Sequence, residues 1–137
     1  MRLLGVDYGQ KKIGIALGDT ESRIASPWMI LENKGHGEAI KEIRLICERE
    51  GVERVVIGIP RILRDATKEN DQIRSIRRFA DDLRQTGTPV DEADESMTSI
   101  QAAYYLRQIN SRSEDDAIAA SIMLQTYLDK LDLRDIK

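Results

Sequence analysis

The opening of the chain constrains its fold more than any other stretch. Two apolar runs, Leu3 to Asp7 and Ile13 to Leu17, are separated by a short basic turn, Gln10-Lys11-Lys12. Two apolar runs joined by so short a polar segment predict a pair of antiparallel strands in a hairpin. Asp7 ends the first strand among glycines, which leave room beside a backbone. The hairpin therefore either bonds Asp7 into its own turn or holds it out as a ligand.

The rest of the chain alternates between strand and helix patterns. Apolar residues at helical spacing between Gly35 and Gly51, and again from about Lys68 to Arg84, predict two helices. Strands are predicted at Trp28 to Leu31, at Val55 to Ile57 with Gly58 and Pro60 ending it, and up to Asp94. Capping-box patterns at Thr98 with Gln101 and at Ser113 with Asp116 predict two last helices, ending near Asn110 and Leu131.

This order of elements predicts the fold class. The opening hairpin implies antiparallel pairing, and the later strand–helix–strand alternation implies parallel pairing. We therefore expect an α/β fold, a mixed sheet with helices on both faces. The length of 137 residues suits one domain, spanning 1–137.

Composition narrows the class of protein. No apolar run approaches the roughly 18 residues of a membrane span, and no signal peptide is evident. Cys47 is the only cysteine, so a disulfide within the chain is excluded and a reducing cytoplasm is expected. The net charge of −3 argues against a protein coated in basic charge, although local basic patches can still bind phosphates.

Three acidic residues stand at predicted element ends. Asp7 ends the first strand, Glu95 follows the last strand, and Asp116 opens the last helix. Carboxylates from separate elements can hold Mg²⁺ or Mn²⁺, and two such ions can assist phosphodiester hydrolysis. The alternatives are a solvated loop acid at Glu95 and a helix cap at Asp116, with Asp115 competing for the same role. His36 is predicted to be solvated in a polar turn and Cys47 to be packed in the core.

The chain resembles the YqgF/RuvX family of bacterial proteins, which have an RNase H-like fold related to the RuvC resolvases. Four segments carry the resemblance: DYGQKKIGIALGD from Asp7, VVIGIP from Val55, DESMTS from Asp94 and DDAIAASIMLQTYLD from Asp115. It implies a mixed five-stranded sheet and a metal site with Asp7, Glu95 and Asp116 as catalytic ligands. It also favours Asp116 over Asp115, because the family's last acid directly precedes the A-I-A-A pattern.

The activity implied by this resemblance is that of a nuclease, assigned within the family either to Holliday-junction resolution or to maturation of the 5′ end of pre-16S ribosomal RNA. We favour the ribosomal RNA role, with structured RNA and ribosomal particles as partners. The sequence departs from the family pattern in its substrate-binding segments. The loop after Pro60 has no glycine, Ser96 replaces an arginine, and NSRSED replaces a lysine-rich segment before the last acid.

Basic residues elsewhere could bind the nucleic acid. The predicted phosphate contacts are Lys11, Lys12, Arg61, Arg64 and Lys68. Three arginines of the second predicted helix, Arg74, Arg77 and Arg78, are better explained as a solvated face. Aromatic residues are scarce, so phosphate contacts should outweigh base stacking.

Two other classes of protein share features with this sequence. The Asp7 hairpin also resembles the phosphate-binding hairpin of the actin and sugar-kinase superfamily, but this chain has no room for the second domain that those proteins need. The alternative that the chain is a module that binds RNA without cutting it stays open. The choice between RNA and a DNA junction, and between a monomer and a weak homodimer, also stays open.

Overall fold

The computed structural model describes residues 1–59, 71–94 and 115–131. Three predicted features lie outside these residues: the helix from Thr98 to Asn110, the cap at Ser113 and the basic loop after Pro60. None of the described helices is long and apolar enough to cross a membrane.

Five strands and three helices make up the described fold. The strands are β1 (Arg2–Tyr8), β2 (Lys12–Asp19), β3 (Ile24–Glu32), β4 (Arg54–Ile59) and β5 (Val90–Asp94). The helices are α1 (His36–Glu50), α2 (Asp71–Gln85) and α3 (Asp115–Lys130). The predicted elements within this part of the chain are confirmed, with changes at their ends.

The third strand is much longer than predicted. It starts at Ile24 rather than after Pro27, because pairing with β2 continues along its whole length. Ile15 pairs with Met29 and Ala16 with Pro27, so Trp28 is an extra residue in a bulge. A proline lacks the N–H that a central strand needs, but a bulge in an outer strand tolerates it.

The sheet has the order β3-β2-β1-β4-β5 and is mixed, as predicted. β1 is antiparallel to β2, and β2 is antiparallel to β3. β4 lies parallel to both β1 and β5. The last residues of these three parallel strands, Tyr8, Ile59 and Asp94, therefore lie at one edge of the sheet, called here the carboxyl edge.

Helices cover both faces of the sheet, which confirms the predicted layering. On one face α1 and α2 bury a core with β1, β4 and β2, and Phe79, Ile43 and Ile57 are fully buried there. On the other face α3 buries Leu124 and Leu128 against Leu3 and Val56. Burial of one such leucine contributes about 1.5–3 kcal/mol to folding.

Two glycines let α3 lie close to the sheet. A Cβ atom at Gly5 would lie 3.0 Å from the Leu124 Cβ and 3.2 Å from the Ala120 carbonyl oxygen. A Cβ atom at Gly18, near the far end of the hairpin, would meet Leu124 and Leu128. Since the later residues of α3 contact the amino-terminal part of β1, the helix runs antiparallel to β1 and begins near the carboxyl edge.

Candidate active site

Asp7 is the residue before last in β1 and lies half-buried at the carboxyl edge. Leu3 and Gly5 contact α3, and alternate residues of a strand share one face, so Asp7 faces the side of the sheet that carries α3. Its Cα partner on β2 is Gly14. Paired residues share a face, so β2 presents a glycine directly opposite Asp7.

A tight turn follows Asp7 and fixes the end of the strand. The Gly9 N–H donates to the Lys12 carbonyl oxygen at 3.0 Å. A Cβ atom at Gly9 would lie 2.5 Å from that same oxygen, so the turn requires glycine. The turn presents Lys11 and Lys12 as exposed side chains at the carboxyl edge.

The start of α3 lies over the same edge. Ala120 packs on Gly5, and Asp116 is one helical turn earlier, about 6 Å along the helix axis. Asp7 is two residues beyond Gly5, about 6.6 Å along the strand. The backbone of Asp116 is therefore nearly level with Asp7. The described structure includes the backbone of Asp115 and Asp116 but not their side chains.

Glu95 lies outside the described residues. It directly follows Asp94, the last residue of β5, and only β4 separates β5 from β1. The ends of β1 and β5 are thus two strand spacings apart, about 9.5 Å. The assignment of Asp7, Glu95 and Asp116 as one site stays a prediction.

Among residues 1–59, 71–94 and 115–131, no group of three or more His, Cys, Asp or Glu side chains could hold a metal ion. Two of the three predicted ligands are not described at the side-chain level. The chemistry of the predicted set fits a hard divalent cation, since Mg²⁺ and Mn²⁺ take oxygen ligands.

Of the three arginines predicted to form a solvated face of α2, Arg74 and Arg78 are exposed and Arg77 is half-buried. Arg74 pairs with Asp71, and Arg77 pairs with Glu92 at 3.3 Å. Arg78 is exposed. The other predicted phosphate contacts, Arg61, Arg64 and Lys68, lie outside the described residues.

The prediction for His36 was wrong. It is the first residue of α1, and its side chain is 32% exposed. Its ring stands edge-on to Tyr8, with centroids 5.3 Å apart, and to Phe79 at 5.8 Å. Phe79 belongs to a distant segment, so no local signal around His36 could have revealed the contact.

Two side chains on the face of the sheet that carries α1 and α2 have a raised pKa. Burial raises the pKa of Tyr8, and a hydrogen bond with Asn33 partly offsets this. Burial, with a smaller contribution from the Glu48 carboxylate, raises the pKa of the Cys47 thiol to about 11. Cys47 packs against the core as predicted, and its thiol is almost entirely protonated at neutral pH.

Comparison with known proteins identifies the family. The sequence profile described as "RuvX: Holliday junction resolvase" matches residues 1–130. The chain belongs to the RuvX family. A relative from Chloroflexus aggregans, named "Putative pre-16S rRNA nuclease", is 40% identical over 93% of this chain and 92% of its own length. A Bordetella avium relative with the same name is 37% identical over 94% and 95%.

Solved structures confirm the RNase H-like fold expected of the RuvX family. Thermus thermophilus RuvC in complex with a Holliday junction substrate matches with a TM-score of 0.57 and 14% identity, over 93% of this chain and 94% of that one. The fowlpox virus Holliday junction resolvase matches with a TM-score of 0.52 and 17% identity, over 96% and 100%. At these identities the likeness concerns the fold alone.

Proposed function

We propose that this chain is a metal-dependent nuclease that hydrolyses phosphodiester bonds in maturing the 5′ end of pre-16S ribosomal RNA, in the cytoplasm. The observation that carries the proposal is the carboxyl edge in a chain of the RuvX family. Asp7 and the first turn of α3 lie level there, and β5 ends one residue before Glu95. Relatives at 37–40% identity whose names specify pre-16S rRNA support the choice of substrate.

In this proposal the carboxylates of Asp7, Glu95 and Asp116 hold Mg²⁺ or Mn²⁺. When bound, two such ions stabilise the attacking water and the leaving oxygen of the phosphodiester. The backbone pairing of β1 with β2 and β4 orients Asp7 before any substrate binds, which lowers the cost of assembling the site. Lys11 and Lys12 attract the phosphate backbone to this edge.

The experiment is a side-by-side cleavage assay. The purified protein with Mn²⁺ is incubated with a labelled precursor rRNA leader and with a four-way DNA junction, and Asp7→Asn protein serves as the control. Cleavage of the leader, lost in Asp7→Asn, supports the proposal. A protein that binds the leader but leaves both it and the junction intact in the presence of Mn²⁺ would instead be a binding module.

Resolution of DNA junctions is the second candidate, favoured by the description of the family and by the likeness to RuvC in fold. A resolvase that cuts two strands symmetrically needs a dimer, whereas an RNA-trimming enzyme does not. Cleavage of the junction in preference to the leader, by a dimeric protein, would favour this second candidate.

A further inference from the structure

A cavity of about 260 Å³ opens on the face of the sheet opposite to Asp7. It lies between the end of β1, the loop before α1 and the first turns of α2. Its walls include the side chains of Tyr8, Gln10, Asn33, His36, Gln72 and Ser75. Asp7 and Tyr8 are consecutive in β1, and consecutive strand side chains take opposite faces. The cavity and the candidate active site are therefore the two sides of one strand end.

Hydrogen bonds from Asn33 hold the walls of the cavity together. The Asn33 side-chain amide donates to the Gly9 carbonyl oxygen at 2.7 Å. Its carbonyl oxygen accepts from the Gly35 N–H at 3.0 Å, and its backbone N–H donates to the Lys11 carbonyl oxygen at 2.9 Å. The loop before α1 is thus tied to the turn after β1, so the cavity is formed before any ligand arrives.

His36 is held in one orientation at the wall of this cavity. Its Nδ1 lies 4.0 Å from an Asp82 carboxylate oxygen, and its Nε2 lies 3.5 Å from the Ser75 Oγ. Tyr8 and Phe79 pack against the ring. The contact with Ser75 is at the long limit for a hydrogen bond, so both groups keep capacity to bind a ligand oxygen.

The chemistry of the walls suits a phosphate. The described residues that line the cavity include amide, hydroxyl and imidazole groups but no Asp or Glu. Lys11 and Lys34, the residues directly after Gln10 and Asn33, are exposed beside it. The volume falls below the roughly 300 Å³ at which pockets for larger organic ligands begin, so a single phosphate with its sugar is the appropriate size.

We propose that this cavity binds a backbone phosphate of the same nucleic-acid strand whose scissile bond lies at Asp7. This inference rests on the proposed nuclease function. A nucleic-acid strand that crosses the carboxyl edge past Lys11 and Lys12 reaches both faces of the sheet, because the turn after β1 borders both faces. Ser75 and Gln72 donate to the phosphate oxygens from α2, and the His36 Nε2 lies beside them. The cavity thereby fixes which phosphate enters the metal site.

The test compares two double variants in an Asp7→Asn background, which binds substrate without cutting it. The first combines Gln72→Ala with Ser75→Ala, two exposed side chains of α2. The matched control combines Gln85→Ala, at the far end of α2, with Ser26→Ala on β3; both are also exposed. Binding of a fluorescein-labelled single-stranded RNA is measured by anisotropy across a salt series, and melting curves check folding.

Loss of two hydrogen bonds to a charged phosphate should weaken binding by roughly tenfold or more. The slope of log affinity against log salt should stay unchanged, because neutral side chains release no counterions. The control should bind like the Asp7→Asn parent. Equal binding by the Gln72/Ser75 variant would overturn the cavity proposal alone, whereas a parent that binds neither RNA nor DNA junction would overturn the proposed function itself.

A second measurement uses the fact that His36 is the only histidine. The NMR signals of its ring therefore come from one residue, which lies at the wall of the cavity. Titration of Asp7→Asn protein with the RNA should shift them, and the Gln72/Ser75 variant should reduce the shift. If inorganic phosphate shifts these resonances but the RNA does not, the cavity takes free phosphate and the nucleic-acid assignment is wrong.

Discussion

At the scale of single residues, Asp7 combines a backbone held in the sheet with a glycine as its cross-strand partner. β1 pairs with β4 up to Val6 and with β2 up to Tyr8, and the partner of Asp7 on β2 is Gly14. Carboxylates gathered at one edge repel one another, and a divalent cation relieves that repulsion. Metal binding should therefore increase the stability of the folded protein, and this increase can be measured without any cleavage assay.

We expect millimolar Mg²⁺ or Mn²⁺ to raise the melting temperature at neutral pH, and Asp7→Asn to weaken this shift. A ligand that binds only the folded state stabilises it by about 2.7 kcal/mol at a hundredfold excess over its Kd. Differential scanning fluorimetry across a metal series measures the effect. Glu21→Gln, an exposed carboxylate in the turn at the opposite edge of the sheet, is the control and should keep the full shift. A parent melting curve that metal leaves unchanged would contradict a preformed site.

Cys47 gives a prediction from a pKa. Its thiol has a pKa of about 11 in the folded chain, against an ordinary value of 9.0. Below both values the thiolate fraction is about 100-fold lower than in an unfolded chain, so iodoacetamide should label Cys47 correspondingly slowly until urea unfolds the protein. Mass spectrometry of the single cysteine measures the rate.

The sign of the matching stability effect follows from proton binding. As pH rises through about 9, the unfolded thiol loses its proton while the folded thiol keeps it. The unfolded state is thereby favoured, so stability should fall between pH 9 and 11. Cys47→Ala removes this part of the pH dependence. Labelling of native protein as fast as that of unfolded protein would show that the thiol is not held in the core.

At the scale of elements, the position of α3 on the sheet decides whether Asp116 can lie close to Asp7. One end of the helix lies over Gly5, and the other is held by the Tyr127 hydroxyl, which donates to the Asp91 carboxylate at 2.5 Å. Arg54 also contacts Asp91, at 3.2 Å. The helix therefore cannot slide away from the sheet to accept a larger residue beneath it.

We expect Gly5→Ala to destabilise the fold by about 1–3 kcal/mol, because its Cβ would press on the Cβ of Leu124 and the backbone of Ala120. Gly18→Ala should cost less, since the atoms that its Cβ would meet are the ends of the Leu124 and Leu128 side chains, which can rotate. Urea unfolding compares the two variants. Gly5→Ala should also reduce the rise in melting temperature on adding metal, because α3 carries Asp116. Each variant's rise is measured from its own melting temperature without metal. Equal stability of the two variants would mean that α3 is not held against β1 as described.

At the scale of the whole molecule, net charge and local charge differ. The chain carries a net charge of −3, yet exposed lysines gather in the turn after β1 at the carboxyl edge. On α2, by contrast, Arg77 and Arg84 pair with Glu92. We therefore expect nucleic acid to approach the carboxyl edge, and its affinity to depend on the cations of that edge.

We expect Lys11→Ala with Lys12→Ala to weaken nucleic-acid binding across sequences and to flatten the slope of log affinity against log salt. Each lost phosphate contact should change the slope by about 0.7 for single strands and 0.9 for duplex DNA. Arg61→Ala with Arg64→Ala, in the predicted basic loop, should act in the same way. Lys41→Ala with Arg44→Ala, exposed on the outer side of α1, is the control. If a double variant of the edge keeps the parent slope, that pair does not contact phosphates.

The sequence by itself determined the elements and their layers. Period-two and helical apolar patterns are local properties, so the hairpin, the buried strand at Val55–Ile57 and the apolar faces of α1 and α2 could be read directly. The same holds for Asp7 at a strand end. The family resemblance rested on segments of the same kind, and the profile match over residues 1–130 confirms it.

Only the tertiary structure decided what depends on pairing between distant segments. β3 extends from Ile24 because β2 supplies its hydrogen-bond partners, not because its own residues alternate. His36 is packed rather than solvated because Phe79 lies more than forty residues further along the chain and reaches it through the fold. The backbone of Asp116 lies level with Asp7 because α3 approaches the sheet closely at Gly5. Such contacts follow from the packing of whole elements, and no local pattern encodes the distance between them.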